Sequence, residues 1–355
     1  MQNELLNSHV RKIIGWHFNP ETGSKFWLKK KETLSFNPIQ DVKTYQDLKL
    51  FPDFSDDFRS YPIEEIIPQG FKKAGIIPDI FESGGATGKP KRIIEVETRT
   101  QGVEWINSIL DMHGFPDKNL EGEWLFIGPS GPHIVGRSMG RLAKLRGSSC
   151  FYIDFDPRWV RKCIKEKDHI TATKYVTHLI QQIKDIIEEQ SIKVLFVTPS
   201  VLETIISDVQ LFNIVQKKIK GLIWSGTSLP AESIKYLKKI LPNTVVIGLY
   251  GNTLMGIAGQ KPFQDIDQYQ AIFYPFFPYS IVDVVQFDDP THNVDFYQVG
   301  QVKVTLLTKE MFIPNNLERD QAARIPPSEP FFHWDGLADI KPILTKGNLI
   351  IEGVY

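Results

Sequence analysis

Three short apolar runs recur in the middle of the chain: Val194-Leu195-Phe196-Val197, Gly221-Leu222-Ile223-Trp224 and Thr244-Val245-Val246-Ile247-Gly248-Leu249. None of them alternates with polar residues, which is the pattern of a strand buried on both faces. The segments around them follow a different period. From about residue 172, Val176, Leu179, Ile180, Ile183, Ile186 and Ile187 fall on one helical stripe, and Ile234, Leu237 and Ile240 share one side of a helix predicted over Ala231 to Ile240. Thr198-Pro199-Ser200 ends the first run before a further helical segment. Strand, helix, strand, helix, strand at this spacing requires parallel pairing through right-handed crossovers. The centre of the chain, about 170 to 255, is therefore α/β, and 355 residues suffice for one large domain or two smaller ones.

Ligands of a parallel sheet sit at the carboxyl ends of its strands. Trp224 is followed by Ser225-Gly226-Thr227-Ser228, and Leu249 by Tyr250-Gly251-Asn252-Thr253, so both turns would open on one crevice. Tyr250 would offer a base its ring, and Gly226 and Gly251 let backbone approach closely. Alternatively, both are ordinary strand-ending turns with Tyr250 half-buried. A second small-residue stretch, Ser83-Gly84-Gly85-Ala86-Thr87-Gly88-Lys89-Pro90-Lys91, combines glycine, hydroxyl and ammonium groups in a way that suits phosphate. It is not a P-loop: Pro90 follows Lys89 where Ser or Thr should stand, and Ser83 occupies the first glycine position. The dinucleotide spacing Gly-x-Gly-x-x-Gly is also absent. A flexible, glycine-rich surface loop is the competing reading.

The formal net charge of −1 argues against a broad nucleic-acid face, and Lys29-Lys30-Lys31, the one tight basic run, reads as solvated. Two cysteines, Cys150 and Cys163, make no disulfide framework, and no spacing resembles a zinc site. The start, Met1 to Leu6, lacks a basic region followed by an apolar core, and no apolar run approaches bilayer length. The expectation is a cytoplasmic protein with neither a nucleic-acid nor a membrane partner. The first seventy residues, with Trp16, Phe18, Phe26 and Trp27 scattered among polar stretches, predict short helices. In Phe273-Tyr274-Pro275-Phe276-Phe277-Pro278-Tyr279 the prolines argue against a central strand, and the rings need cover, either as an internal cluster or as a contact surface. Strand-like alternation resumes at Val302-Lys303-Val304-Thr305-Leu306. No internal repeat or low-complexity tract is present.

The order of these features, a Ser/Thr/Gly/Lys loop, a Gly-rich turn after one strand, Tyr-Gly-x-Thr after the next and an Asp later, resembles the acyl-adenylate-forming superfamily. It is most similar to the phenylacetate-CoA ligase and acyl-protein synthetase branch. Trp16-His17-Phe18-Asn19-Pro20-Glu21-Thr22-Gly23-Ser24-Lys25-Phe26-Trp27-Leu28 and Leu50-Phe51-Pro52-Asp53-Phe54 also look like that branch, and the likeness runs nearly the whole length. It implies an α/β fold, the large N-terminal domain of an adenylate-forming enzyme, with layered parallel-rich sheets flanked by helices and a small β-rich subdomain. Residues 1–335 would be the AMP-binding domain and 336–355 a hinge and the first strand of a mobile C-terminal domain that is otherwise absent. ATP and magnesium are the implied cofactors, a carboxylic acid the substrate, and CoA or a carrier-protein thiol the acceptor. A homodimer, or a partner chain supplying the small domain, would complete the assembly.

Carried over by residue, the resemblance makes Ser83, Gly84, Gly85, Ala86, Thr87, Gly88 and Lys89 a phosphate grip, with Lys91 and Thr253 catalytic. Gly226, Thr227, Ser228, Tyr250, Gly251, Asn252 and Asp320 would hold adenine and ribose. His133 and Gly136, from Pro132-His133-Ile134-Val135-Gly136, and Ser200 would border the acid pocket, although His133 reads equally as a structural histidine. Gly84 and Ala86 replace hydroxyl residues of the pattern. Leu254 stands where a magnesium-binding Glu is usual, so the side chains provide no metal site and the ion is expected on phosphate and water. In Gly336-Leu337-Ala338-Asp339-Ile340-Lys341, Leu337 replaces the hinge Arg. Lys346-Gly347 reads as a turn, Gly347 to Tyr355 as the strand beyond the hinge, and both cysteines as packing residues. The implied reaction joins an aromatic or otherwise apolar acid to AMP with release of pyrophosphate. The rivals are a nucleotide-binding regulatory protein without turnover and one subunit of a split enzyme.

Overall fold

The computed structural model describes residues 2–85, 88–117 and 119–343. Ala86, Thr87, Lys346 and the stretch Gly347 to Tyr355 lie outside the described residues. A hairpin of β1 (Asp79–Glu82) and β2 (Arg92–Glu95) carries the glycine-rich loop at its tip. The other strands are β3 (Glu123–Gly128), β4 (Cys150–Asp154), β5 (Ile192–Val197), β6 (Gly221–Trp224), β7 (Val245–Asn252), β8 (Gly256–Gln260), β9 (Ile272–Pro275), β10 (Ser280–Val285), β11 (Val299–Leu307), β12 (Phe312–Ile325) and β13 (Gly336–Pro342). They form one 11-stranded sheet in the order β10-β11-β12-β13-β9-β8-β7-β6-β5-β3-β4.

Strands β4, β3, β5, β6 and β7 run parallel, as the uninterrupted apolar runs require. Helix Ala231–Ile240 buries Ile234 and Leu237, and helix His169–Glu189 buries Leu179, Ile183 and Ile187, the stripes read from sequence. From β7 outward the pairing is antiparallel. β7 belongs to both halves, because Val245–Gly248 pair with β6 and Leu249–Asn252 pair with β8. Tyr250, Gly251 and Asn252 therefore lie in a strand rather than in the turn expected after Leu249. A second partner becomes available where the first one ends.

Phe273-Tyr274-Pro275 corrects another expectation. These residues are in β9, which lies inside the sheet between β8 and β13. Pro275 is the last residue of the strand, so its missing N–H falls where the ladder stops. Phe273 and Tyr274 are buried, and Tyr274 stacks on Phe332 at 4.4 Å, an internal cluster. At the amino end, helix Gln2–His17 is longer than expected and buries Leu6, Val10, Ile13 and Ile14 as one stripe; short elements follow it. The aromatics scattered in the sequence converge there. Phe18, Phe26 and Trp27 join Phe51, Phe58 and Phe312 in one core that seats the amino-terminal segment on β12. Lys29 and Lys30 of the basic run are paired with Glu65 and Asp57.

The expected domain boundary at 335/336 falls inside the sheet. Gly336–Pro342 is β13, held between β12 and β9, with Leu337 fully buried. Among the described residues, no helix is long and apolar enough to cross a membrane.

Candidate functional site

At the carboxyl ends of the parallel strands lies a cleft of about 1470 Å³. Its floor comes from Gly128 and Pro129 after β3, Thr198 after β5, Ser225 to Ser228 after β6, and Tyr250 to Asn252 on β7. Its walls are the hairpin loop, through Ser83, Gly84, Gly85 and Lys91, and β12, through Asn316 to Gln321. Gly226 has φ 95° and Gly251 φ 152°, and a Cβ on Gly251 would collide with the carbonyl oxygen of Gly256 across the β7–β8 turn. Glycine is thus the residue that lets this turn close.

The loop is fastened at its base. Ser83 N–H donates to the Lys91 carbonyl at 2.9 Å, and Lys91 N–H donates to Ser83 Oγ at 2.8 Å. Beneath it, Lys91 Nζ donates to Ser55 Oγ at 2.7 Å and pairs with Asp56 at 3.3 Å. Arg59 pairs with Asp56 at 2.9 Å and donates to the Lys89 carbonyl. Gly88 and Lys89 are exposed and do not line the cleft, so of the two expected cations only Lys91 is on its wall.

Opposite, Tyr250 Oη donates to Asp320 at 2.9 Å, joining two residues seventy positions apart. Burial raises the Asp320 pKa, and the tyrosine bond opposes that shift. Asn252 has a local duty: its Oδ1 accepts from the N–H groups of Leu254 and Met255, each at 2.9 Å, and so shapes the β7–β8 turn. Its side chain also hydrogen-bonds Glu318, which accepts from Asn316 Nδ2 at 2.6 Å. Burial pushes the Glu318 carboxyl pKa up, while Lys91 pulls it down. Thr253 lines the cleft and donates to the Glu82 carbonyl at 3.4 Å.

His133 is on the wall and nearly buried. Burial, and then the neighbouring Arg158, lower its pKa. Its Nε2 lies 3.3 Å from Arg158 Nη2, which also donates to the Ser83 carbonyl at 3.4 Å and pairs with Glu82 at 3.5 Å. The neutral imidazole thus orients an arginine beside the loop. Gly136 and Ser200 do not line the cleft. A Cβ on Gly136 would meet Ser130 Cα at 2.7 Å, so it serves the packing of helix Ile134–Leu145. Ser200 is exposed, and its hydroxyl lies 3.2 Å from Thr198 Oγ1; Thr198 is the residue in the floor of the cleft. Gly226, Thr227 and Ser228 all line the cleft.

Sequence reasoning missed Arg59, Arg158, Arg161, Glu318 and Arg319. Arg161 and Arg319 line the cleft; burial lowers the Arg161 pKa, and the charges of Arg319 and Arg158 lower it further. The i, i+3 spacing of Arg158 and Arg161 just after β4 was the available signal, but only the fold shows which way that helix faces. Leu254 and Leu337 are both buried in hydrophobic cores. Cys163 is buried, and burial pushes the Cys150 thiol up to about 11, which suits packing rather than nucleophilic duty.

No protein-family model matches the sequence, and no curated protein matches it. Solved structures do. An open conformation of 2-hydroxyisobutyryl-CoA ligase, in complex with 2-HIB-AMP and CoA, superposes with a TM-score of 0.61 at 14% identity, over 95% of this chain and 73% of that one. This chain has the fold of an acid–CoA ligase. The same ligase in its thioesterification state gives 0.58 at 12% identity, over 96% of this chain and 68% of the other. The ligase fold bears out the α/β class and helix-flanked sheet of an adenylate-forming N-terminal domain. At such identities it speaks for the backbone, and the side chains must be argued on their own chemistry.

Proposed function

We propose that this chain activates a carboxylic acid with ATP, as the phenylacetate-CoA ligase and acyl-protein synthetase branch does. The observation that carries the reading is the meeting of the Ser83 to Lys91 loop with the Tyr250–Asp320 pair on opposite walls of one cleft. A carboxylate oxygen attacks the α-phosphorus, the bond to pyrophosphate breaks, and acyl-AMP remains. Catalysis then consists of alignment and charge stabilisation. Tyr250 offers its ring to adenine and Asp320 accepts from the ribose hydroxyls. Backbone N–H groups of Gly84 and Gly85 face the phosphates, Lys91 supplies positive charge, and Thr253 positions the reacting phosphate. Arg158 and Arg161 add charge that the resemblance did not imply.

Among the described residues, no group of three or more His, Cys, Asp or Glu could hold a metal ion. Magnesium typically needs only one or two carboxylates beside nucleotide phosphates and water, and Glu318, held by Asn252 and Asn316, fits that demand. Bound there, the ion would offset phosphate charge. The acyl group would pass to the thiol of CoA or a carrier protein, in the cytoplasm, with help from a small domain joined beyond the sheet or supplied by a partner chain or second subunit.

The test is acid-dependent ATP–pyrophosphate exchange. A panel of acids should include one that supports exchange, and Lys91→Ala should lower the rate at least tenfold; folded protein inactive with every acid overturns the proposal. Leu254, buried where a metal ligand is usual, favours a second reading, a nucleotide-binding protein without turnover. Nucleotide binding by calorimetry with no acyl-adenylate in a single turnover would establish it.

A further inference from the structure

Behind Thr253 lies a second, smaller cavity of about 60 Å³. Ile134, Thr253, Gly256 and Ile257 line both it and the cleft, so it is a side chamber off the place where the acid would meet the nucleotide. Much of its wall is apolar, including Phe276 and Tyr279, which stack on each other at 5.0 Å. The polar part of the wall is unusual. Ser280 is 3% exposed, and its buried Oγ has no hydrogen-bond partner among the described residues. Arg99, also on the wall, has a buried Nε–H without a hydrogen-bond partner among the described residues. Beside it, Glu95 accepts from the Arg99 N–H at 2.5 Å, and burial together with Glu310 pushes its carboxyl up to about 7.

Buried polar groups left unpaired within a folded protein call for a ligand or water. One water needs roughly 15 Å³ of such space, so the chamber holds up to about four non-hydrogen atoms, and a cavity that accepts benzene is about 150 Å³. An aromatic ring does not fit. An ammonium group would donate to Ser280 and Glu95, but it has no acceptor for Arg99 and would sit beside a guanidinium. A hydroxyl both accepts and donates, and so serves all three groups.

Resting on the acid-activation reading, we propose that the side chamber receives the distal end of a short hydroxy acid and selects it by hydrogen bonds to Ser280, Arg99 and Glu95. The expected aromatic or apolar acid gives way to a small hydroxylated one. The experiment compares butanoate, 2-, 3- and 4-hydroxybutanoate, 4-aminobutanoate and phenylacetate in two assays, ATP–pyrophosphate exchange and calorimetric binding with a non-hydrolysable ATP analogue. Both assays are repeated with Ser280→Ala, whose melting temperature verifies folding. One hydroxybutanoate should exceed butanoate, 4-aminobutanoate and phenylacetate at least tenfold in kcat/KM and in affinity, and Ser280→Ala should cut that advantage to less than threefold.

Exchange with no hydroxyl preference overturns the chamber proposal and leaves acid activation standing. A hydroxyl preference in binding that Ser280→Ala removes, without exchange for any acid, supports the chamber and overturns activation. Neither preference nor exchange overturns both.

Discussion

The two halves of the sheet contribute to one cleft in different ways. In the parallel half, β6 is wholly buried and β5 nearly so, and such strands reach the cleft at or just beyond their ends: Phe196, Thr198, Trp224 and Ser225 to Ser228. In the antiparallel half, β12 leaves Leu317 to Gln321 accessible in one run and presents Glu318, Arg319 and Asp320 to the cleft from mid-strand. A strand covered on both faces has little room for charge except at its tips, because an unpaired buried charge is destabilising. A strand with accessible residues in mid-run carries chemistry sideways. The parallel half therefore provides the floor and the antiparallel half much of the ionisable wall.

Substitutions can break this division, and the largest effect belongs to the parallel side. Arg146, 4% exposed, follows helix Ile134–Leu145 and donates to the carbonyls of Phe115 and Pro116, to Asn107 and to Asp111. Arg146→Met should lose about 3 kcal/mol in urea unfolding, because it removes the buried guanidinium's hydrogen bonds and leaves the buried Phe115 carbonyl unpaired; a loss below about 1 kcal/mol would show that this half tolerates disruption. Next comes the pH response of the amino-terminal core on the antiparallel side. Burial lowers the His17 pKa from 6.5 to about 4, so its contribution is present above pH 6.5 and lost as pH falls toward 4. Glu95 acts oppositely: raised from 4.5 to about 7, it contributes fully below pH 4.5 and loses that contribution as pH rises through 7. In stability–pH profiles, His17→Asn should flatten the acid-side fall and Glu95→Gln the fall toward neutrality, each by about one proton's worth of slope.

Gly248→Val should follow, at about 1–3 kcal/mol, since a Cβ there would lie 2.5 Å from the Trp224 ring. The smallest stability effect belongs to the wall. Asp320→Asn should weaken nucleotide binding about tenfold, which is about 1.4 kcal/mol, and Tyr250→Phe less, with melting temperatures nearly unchanged. A large drop in melting temperature for Asp320→Asn, with affinity intact, would turn the assignment of floor and wall around.

What was legible in the sequence follows the same division. β6 and helix Ala231–Ile240 were readable to the residue because apolar periodicity alone defines a two-sided strand and the helix over it. The pairing of Tyr250 with Asp320 was not readable, since it depends on how β12 is brought across the sheet. Glu318 and Arg161 carry ordinary surface residue types, and only the fold turns them toward a ligand. Pro275 misled for the opposite reason: a residue that stops a ladder is harmless at its last rung. Gly136 and Ser200 came from the family resemblance, and packing places them elsewhere.

β7 is the clasp of the molecule. Its first four residues close the parallel ladder and its last four open the antiparallel one, so neither half can slide without unfastening the other. Tyr250 is set in that clasp. The hairpin, whose Lys91 reaches Ser55 and Asp56, and helix Pro157–Lys165 beyond β4 lie outside that clasp. The cleft floor at Tyr250 is thereby carried by the strand that both ladders share.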